Sequence, residues 1–285
     1  DINGSQRDIE ANLAFAREVR QAGRMWGASC ALAMRPLLEG RFDEAFRLMQ
    51  EALVLGQQVL GELPVLMFGG QFVNLRHLQG RLAEVEPLAT AQVKQYPDSM
   101  AWKCALAFVH AEIDSAEEAR RDFEELATQG FAALPRDFTW LLSIQLLTEV
   151  CDYLGDAARA TTLYDLLLPY AGRNIVGGVP AFCTGSASRQ LGMMAAVMER
   201  YDDAERHFED ALAFDQKMNA RPWVAHDRYQ YAKMLLARAA PGDRDRALAL
   251  LQPALATAEE LGMAKIIERA LALKLQAQGI DGRGS

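Results

Sequence analysis

The sequence predicts an all-α chain, an α-solenoid of about six helical hairpins with flanking capping helices, and three observations carry that expectation. The first is a repeated register in GRFDEAFRLMQEAL, GRLAEVEPLATAQV, DSAEEARRDFEEL, GDAARATTLYDLLL, ERYDDAERHFEDAL and GDRDRALALLQPAL. Each segment opens on a turn or polar residue, passes through charged residues, and reaches a small one: Ala45, Val85, Ala119, Ala160, Ala204 or Ala247. Four positions on, most carry a larger side chain, such as Met49, Phe123, Tyr164, Phe208 or Leu251. The second observation is that a run with helical apolar spacing precedes every segment. The third is that no stretch alternates convincingly as a strand does, so about fourteen helices account for the chain.

The elements follow in order. A lead-in helix over 6–22 caps one end. Hairpins then run approximately over 26–59, 65–97, 98–130, 136–170, 186–218 and 221–261, and a terminal helix over 263–277 caps the other end. In each hairpin the small residue of the second helix lets the first approach, and the larger residue one turn later fills the gap. No hairpin buries its apolar face without its neighbours, so 1–285 reads as a single helical-repeat domain with one continuous core.

Composition limits the classes of function. The chain has 285 residues, 51% apolar and 24% charged, a balance typical of soluble globular proteins. No uncharged apolar run of about 18 residues occurs, so no membrane association is expected. The net charge is −8 with basic residues scattered along the chain, which argues against a nucleic-acid partner. Cys30, Cys104, Cys151 and Cys183 lie far apart without a C-x-x-C pair, a pattern that suits buried thiols in a reducing cytoplasm. His77, His110, His207 and His226 lack ligand spacing, so neither a metal nor another cofactor is expected. His207, beside Arg206, reads as a solvated surface residue. With DINGSQRD at its start and GIDGRGS at its end, the chain reads as a fragment of a larger protein.

The register resembles the tetratricopeptide repeat, most closely at Leu191, Gly192, Tyr201, Ala204, Phe208 and Ala211, with Pro97 where that repeat carries its closing proline. Successive small residues are 40, 34, 41, 44 and 43 positions apart, so most units exceed the 34-residue standard. From about Gly80 to Arg269 the chain also resembles the helical C-terminal region of large bacterial signalling proteins. Those proteins carry an AAA-type ATPase module with a class III nucleotide-cyclase or a LuxR-type DNA-binding domain. The segments QYPDSMAW, LPRDFTWLL, LYDLLLPYAGRN, ARPWVAHDRYQYAKMLLAR and PGDRDRALALLQPALATAEELGM carry this resemblance. It implies a regulatory arm whose chemistry resides in other domains; no cyclase or ATPase motif occurs here, so the chain reads as non-catalytic.

One stretch departs from the pattern: GRNIVGGVPAFCTGSASRQLG. No Lys follows its glycines as a phosphate loop requires, and the dinucleotide spacing is absent. It reads as a long helix–helix connection over 172–185, with Thr184 and Ser186 as candidate N-caps and a ligand or partner contact as the alternative. A nucleophilic Cys183 would need a histidine partner that nothing in the sequence indicates.

The tetratricopeptide resemblance implies a concave groove lined by first helices, with Asn74, His77, Gln145, Glu149, Asp152, Arg189, His226, Tyr229 and Lys233 facing it. Gln145, Glu149, Arg189, Tyr229 and Lys233 are expected to converge near the last three hairpins, with the 174–184 loop at the rim. Arg189 is the residue expected to take an anion, or to pair with Glu149 when the groove is empty. Arg189→Ala is then expected to abolish binding and leave the helices intact. The leading expectation is a non-catalytic regulatory module that binds a protein or peptide partner, or other domains of its own chain. The alternative is a small-molecule sensor, recognisable by an enclosed pocket of a few hundred Å³ that takes a small polar ligand.

Overall fold

The structure, a computed structural model, describes residues 2–58, 60–178 and 180–279. The start at Asp1, the hairpin boundary at 59 and the tail from 280 lie outside the described residues. Over the described residues the chain forms fifteen α-helices and one two-stranded sheet. The lead-in helix is α1 (Ile2–Glu18). The first hairpin comprises α2 (Ala22–Leu32), α3 (Met34–Glu39) and α4 (Phe42–Gln57); the second, α5 (Leu63–Gln79) and α6 (Glu86–Gln95); the third, α7 (Met100–Glu112) and α8 (Ala116–Leu126). The fourth comprises α9 (Trp140–Leu154) and α10 (Ala157–Leu167), and strands β1 (Asn174–Gly177) and β2 (Phe182–Ser186) follow it. The last two are α11 (Ala187–Val197) with α12 (Tyr201–Lys217), and α13 (Arg221–Arg238) with α14 (Asp243–Leu261). Helix α15 (Ala264–Ala277) ends the array.

The repeated register has a direct structural meaning. Ala45, Val85, Ala119, Ala160, Ala204 and Ala247 all have no exposed surface. Five positions before each stands a residue with positive φ: Gly40, Gly80, Asp114, Gly155, Glu199 and Gly242. A left-handed residue turns the chain between the two helices, and the small residue one turn later meets the helix just left behind. Asp114 and Glu199 adopt this conformation without glycine's freedom, at a cost of about 1–2 kcal/mol each. In the fifth hairpin the first helix supplies clearance as well: a Cβ on Gly192 would stand 2.9 Å from the Phe208 ring.

Two expectations are corrected. The first helix of the first hairpin is broken at Ala33, because Pro36 has no N–H to donate and its ring crowds the carbonyl four residues earlier. The connection over 172–185 contains a β-hairpin, antiparallel and paired Val176 to Cys183 and Gly177 to Phe182. The fully buried core residues fall into two clusters, Trp26, Leu37, Met49, Phe182 and Trp223 in one and Phe108, Phe123, Leu147, Phe208 and Leu251 in the other, and Phe72, Leu142 and Tyr229 pack against both.

The array also closes on itself. Lys265 Nζ donates to Asp114 Oδ2 at 2.8 Å, and Arg269 Nη1 to Glu112 Oε1 at 2.9 Å, tying α15 to the third hairpin. At the turn after α5, a Cβ on Gly80 would lie 2.4 Å from the Lys265 backbone nitrogen, so only glycine lets α15 seat. Gly155 has a similar φ of 65° but nothing within 4 Å of its Cβ position. Gly80→Ala is therefore expected to destabilise the chain by about 1–3 kcal/mol more than Gly155→Ala, since overpacking adds to the shared backbone strain. Equal urea midpoints for the two variants would contradict the closure.

Candidate functional site

Among the described residues, α13 and α15 reach back to the second and third hairpins. First helices from opposite ends meet: the His77 ring on α5 is 5.0 Å from His226 and 5.9 Å from Trp223 on α13, centroid to centroid. The β-hairpin occupies the interior beside them, with all five residues of β2 buried. Its short strands are held by side chains from four surrounding helices. Gln71 Nε2 donates to the Ala181 carbonyl at 2.9 Å, Trp223 Nε1 to the Cys183 carbonyl at 3.0 Å, and Arg189 Nη2 to the Thr184 carbonyl at 2.8 Å. Thr184 Oγ1 donates to Gln145 Oε1 at 2.6 Å. Ser186 caps α11, accepting from the Ser188 amide at 3.2 Å, whereas Thr184 lies within the strand.

Between α5, α7, α9, α13 and this hairpin lies a pocket of about 350 Å³. Its walls are apolar and largely aromatic, including Met67, Val73, Trp102, Phe108, Phe182 and Trp223. Asn74, His77, Gln145 and Thr184 add polar groups, each less than one-tenth exposed. Leu66 and Phe138 also line it and are 40% and 60% exposed, which puts the opening on their side. The volume falls within the range of about 300–1,000 Å³ usual for small-molecule sites.

The expected site residues divide between three places. Asn74, His77 and Gln145 line the pocket. His77 Nδ1 also lies 3.5 Å from Glu112 Oε2, outside the pocket lining. A second group lies away from the pocket: Lys233 Nζ binds Asp152 at 2.8 Å, Gln190 Nε2 donates to Glu149 Oε1 at 3.1 Å, and Tyr229 is half-buried. Burial raises the Glu149 carboxyl and the Tyr229 hydroxyl above their ordinary values. Burial also acts to raise Glu112, but His77 and Arg269 outweigh it and hold the carboxyl down at about 2. His226 is buried, and burial drives its pKa well below the ordinary value, so its ring is neutral.

Arg189 occupies the third place, and the expected Arg189–Glu149 pair is corrected. Its side chain is 1% exposed, stacked 4.6 Å over the Trp223 ring, with Nη1 3.4 Å from Asp227 and 3.9 Å from Asp215. Its charge is spent on two buried carboxylates and a strand carbonyl, so it clamps the hairpin to α13 and is not offered to an anion. His207 is likewise half-buried rather than solvated, with Nε2 3.0 Å from Tyr164 Oη.

Reasoning from sequence missed the aromatic walls and the hairpin. The hairpin's signal is visible in retrospect as Ile175-Val176 and Phe182-Cys183 flanking Gly177-Gly178. Asp215 had a signal too. It lies eleven residues after Ala204 on the buried stripe of Ala204, Phe208 and Ala211, where a carboxylate demands a buried donor or cation.

Cys183 forms part of the hairpin wall, and burial pushes its thiol up to about 12, which leaves it protonated and unreactive. Among the described residues no cluster of three or more His, Cys, Asp or Glu side chains could hold a metal ion, and no helix is long and apolar enough to cross a membrane. The tetratricopeptide-repeat family matches the chain over residues 32–62, from the end of α2 through α3 and α4. The match shows a repeat of that type, which generally mediates protein interactions and is non-catalytic. A comparison with curated proteins yields no match to this chain.

Proposed function

We propose that the chain is a non-catalytic regulatory module that senses a small molecule in the interior pocket. The observation that carries this reading is the closure of the array around a pocket of about 350 Å³. A peptide in an open groove would need the concave positions free. Arg189, Glu149 and Lys233 already hold internal partners, and His77 rests against His226. The occupied state would be relayed through the β-hairpin and α13 to a partner protein or to a linked nucleotide-cyclase, ATPase or DNA-binding domain. Protein binding is a second reading, supported by the repeat type and by Leu271 and Leu275. These two lie one turn apart on α15 and are 42% and 44% exposed.

The neutral dye 6-propionyl-2-(dimethylamino)naphthalene tests the first reading. It is expected to bind with one saturable site and blue-shifted emission. Ala105→Phe and, separately, Leu146→Phe, which project a ring into the pocket, are expected to abolish that binding without changing the circular dichroism. Saturable binding that survives both substitutions, or no saturable binding at all, would overturn it.

A further inference from the structure

The interior pocket carries a second, finer message in the distribution of its polar groups, and this inference rests on the sensing reading above. Among its described lining residues there is no Lys or Arg. The acidic side chains of the lining are Asp98 and Asp137, both exposed. The cation nearest in argument, Arg189, lies behind Trp223 and is committed to Asp227 and the Thr184 carbonyl. An anionic ligand would therefore lose its hydration, pass two acidic side chains and meet no lysine or arginine, and the one imidazole of the lining, His77, already faces Glu112 at 3.5 Å.

The buried polar groups are instead neutral amides with hydrogens to give. Gln145 is oriented by Thr184, whose hydroxyl donates to its oxygen at 2.6 Å, and this leaves the Gln145 NH2 as the end free to donate. Asn74 Nδ2 is fully buried and has no acceptor among the described residues. An unpaired buried donor is costly, and one beside an apolar cavity is satisfied when a ligand brings an acceptor. Around these two amides stand the rings of Trp102, Phe108, Phe182 and Trp223, which favour a flat ring system over a branched chain.

We infer that the pocket takes an uncharged, flat apolar molecule whose buried polar atom is a hydrogen-bond acceptor such as a carbonyl oxygen, received by Asn74 and Gln145. This departs from the anion expected when Arg189 is read as a groove residue. It also assigns specificity to two side chains that a purely apolar cavity would not need.

Three near-isosteric probes separate the possibilities: 2-acetylnaphthalene, 2-ethylnaphthalene and 2-naphthoate, each titrated calorimetrically against the full chain. The ketone is expected to bind about three- to tenfold more tightly than the hydrocarbon, the value of one net hydrogen bond. The carboxylate is expected to bind at least about tenfold more weakly than the ketone. Asn74→Leu, which replaces the amide by a side chain of similar shape, should shrink the preference for the ketone without lowering the melting temperature, since the buried Nδ2 donor it removes is unpaired. Equal affinities for ketone and hydrocarbon, tightest binding of 2-naphthoate, or no binding of the ketone would each overturn the inference. If ketone and hydrocarbon bind equally but both are lost in Ala105→Phe, the pocket reading survives and only the acceptor assignment fails. If ketone binding persists in Ala105→Phe, both fail.

Discussion

Replacing Arg189 with alanine is expected to cost about 3–5 kcal/mol of stability, because it strands two carboxylates inside the protein. Asp215 and Asp227 are both completely buried, and among the described residues Arg189 is the cation within 4 Å of each. The guanidinium also holds the Thr184 carbonyl and covers the Trp223 ring, so its loss loosens the β-hairpin from α13 as well. This outcome replaces the sequence-based expectation of a variant with intact helices and lost binding.

The pH dependence of the same variant has a definite sign. Burial raises Asp227 well above its ordinary value of 3.8, with Asp215 adding to the rise, and burial raises Asp215 too; Arg189 pulls both back down. A carboxyl whose folded pKa is raised binds its proton more readily when folded. Its stabilising contribution is present at low pH and is lost as pH rises from 3.8 through the folded value. Without Arg189 both values climb further, which extends the window upward. The stability deficit of Arg189→Ala relative to the parent chain is therefore expected to shrink between about pH 8 and about pH 5, where a carboxyl of ordinary pKa stays ionised. Urea midpoints measured for both proteins across that range check it; a deficit that is constant or grows on acidification would contradict the buried triad.

A second loss of similar size is expected for Trp223→Ala, about 3–5 kcal/mol. The indole is 1% exposed, and its Nε1 donates to the Cys183 carbonyl of β2. It forms a wall of the pocket and stacks against His77 and Arg189, so three features lose support at once. The cavity left behind adjoins the existing pocket and is lined by apolar groups, which suits occupation by a free ring. Added indole should raise the melting temperature of Trp223→Ala by more than it raises that of the parent chain. Equal shifts in the two proteins would place Trp223 away from the pocket wall.

How much of this was legible in the sequence depends on how local each feature is. The helical hairpins were legible because their register is local: a turn residue, a small residue five positions later, and a larger one a turn beyond, as at Gly155, Ala160 and Tyr164. The β-hairpin was obscured because its strands are four and five residues long and β2 is buried throughout, so no alternation distinguishes it from a connection. The partners of Arg189 were illegible by distance, since Asp215 and Asp227 come from different helices 26 and 38 positions along the chain. Asn74, His77 and Gln145 were placed on the inner face by the tetratricopeptide resemblance, whose pattern assigns those positions of the first helices to the concave side. Closure of the array was out of reach, because it depends on small rotations between hairpins that accumulate until α15 meets Gly80 and Glu112.

The most direct test of the central claim is a crystal structure of the full chain with 2-acetylnaphthalene. The account predicts the naphthalene rings between Trp102, Phe182 and Trp223, with the ketone oxygen within hydrogen-bond distance of the Gln145 amide and the Asn74 amide. A ketone seated instead on the outer face of α15, or an interior filled only by water while the ligand binds elsewhere, would contradict it.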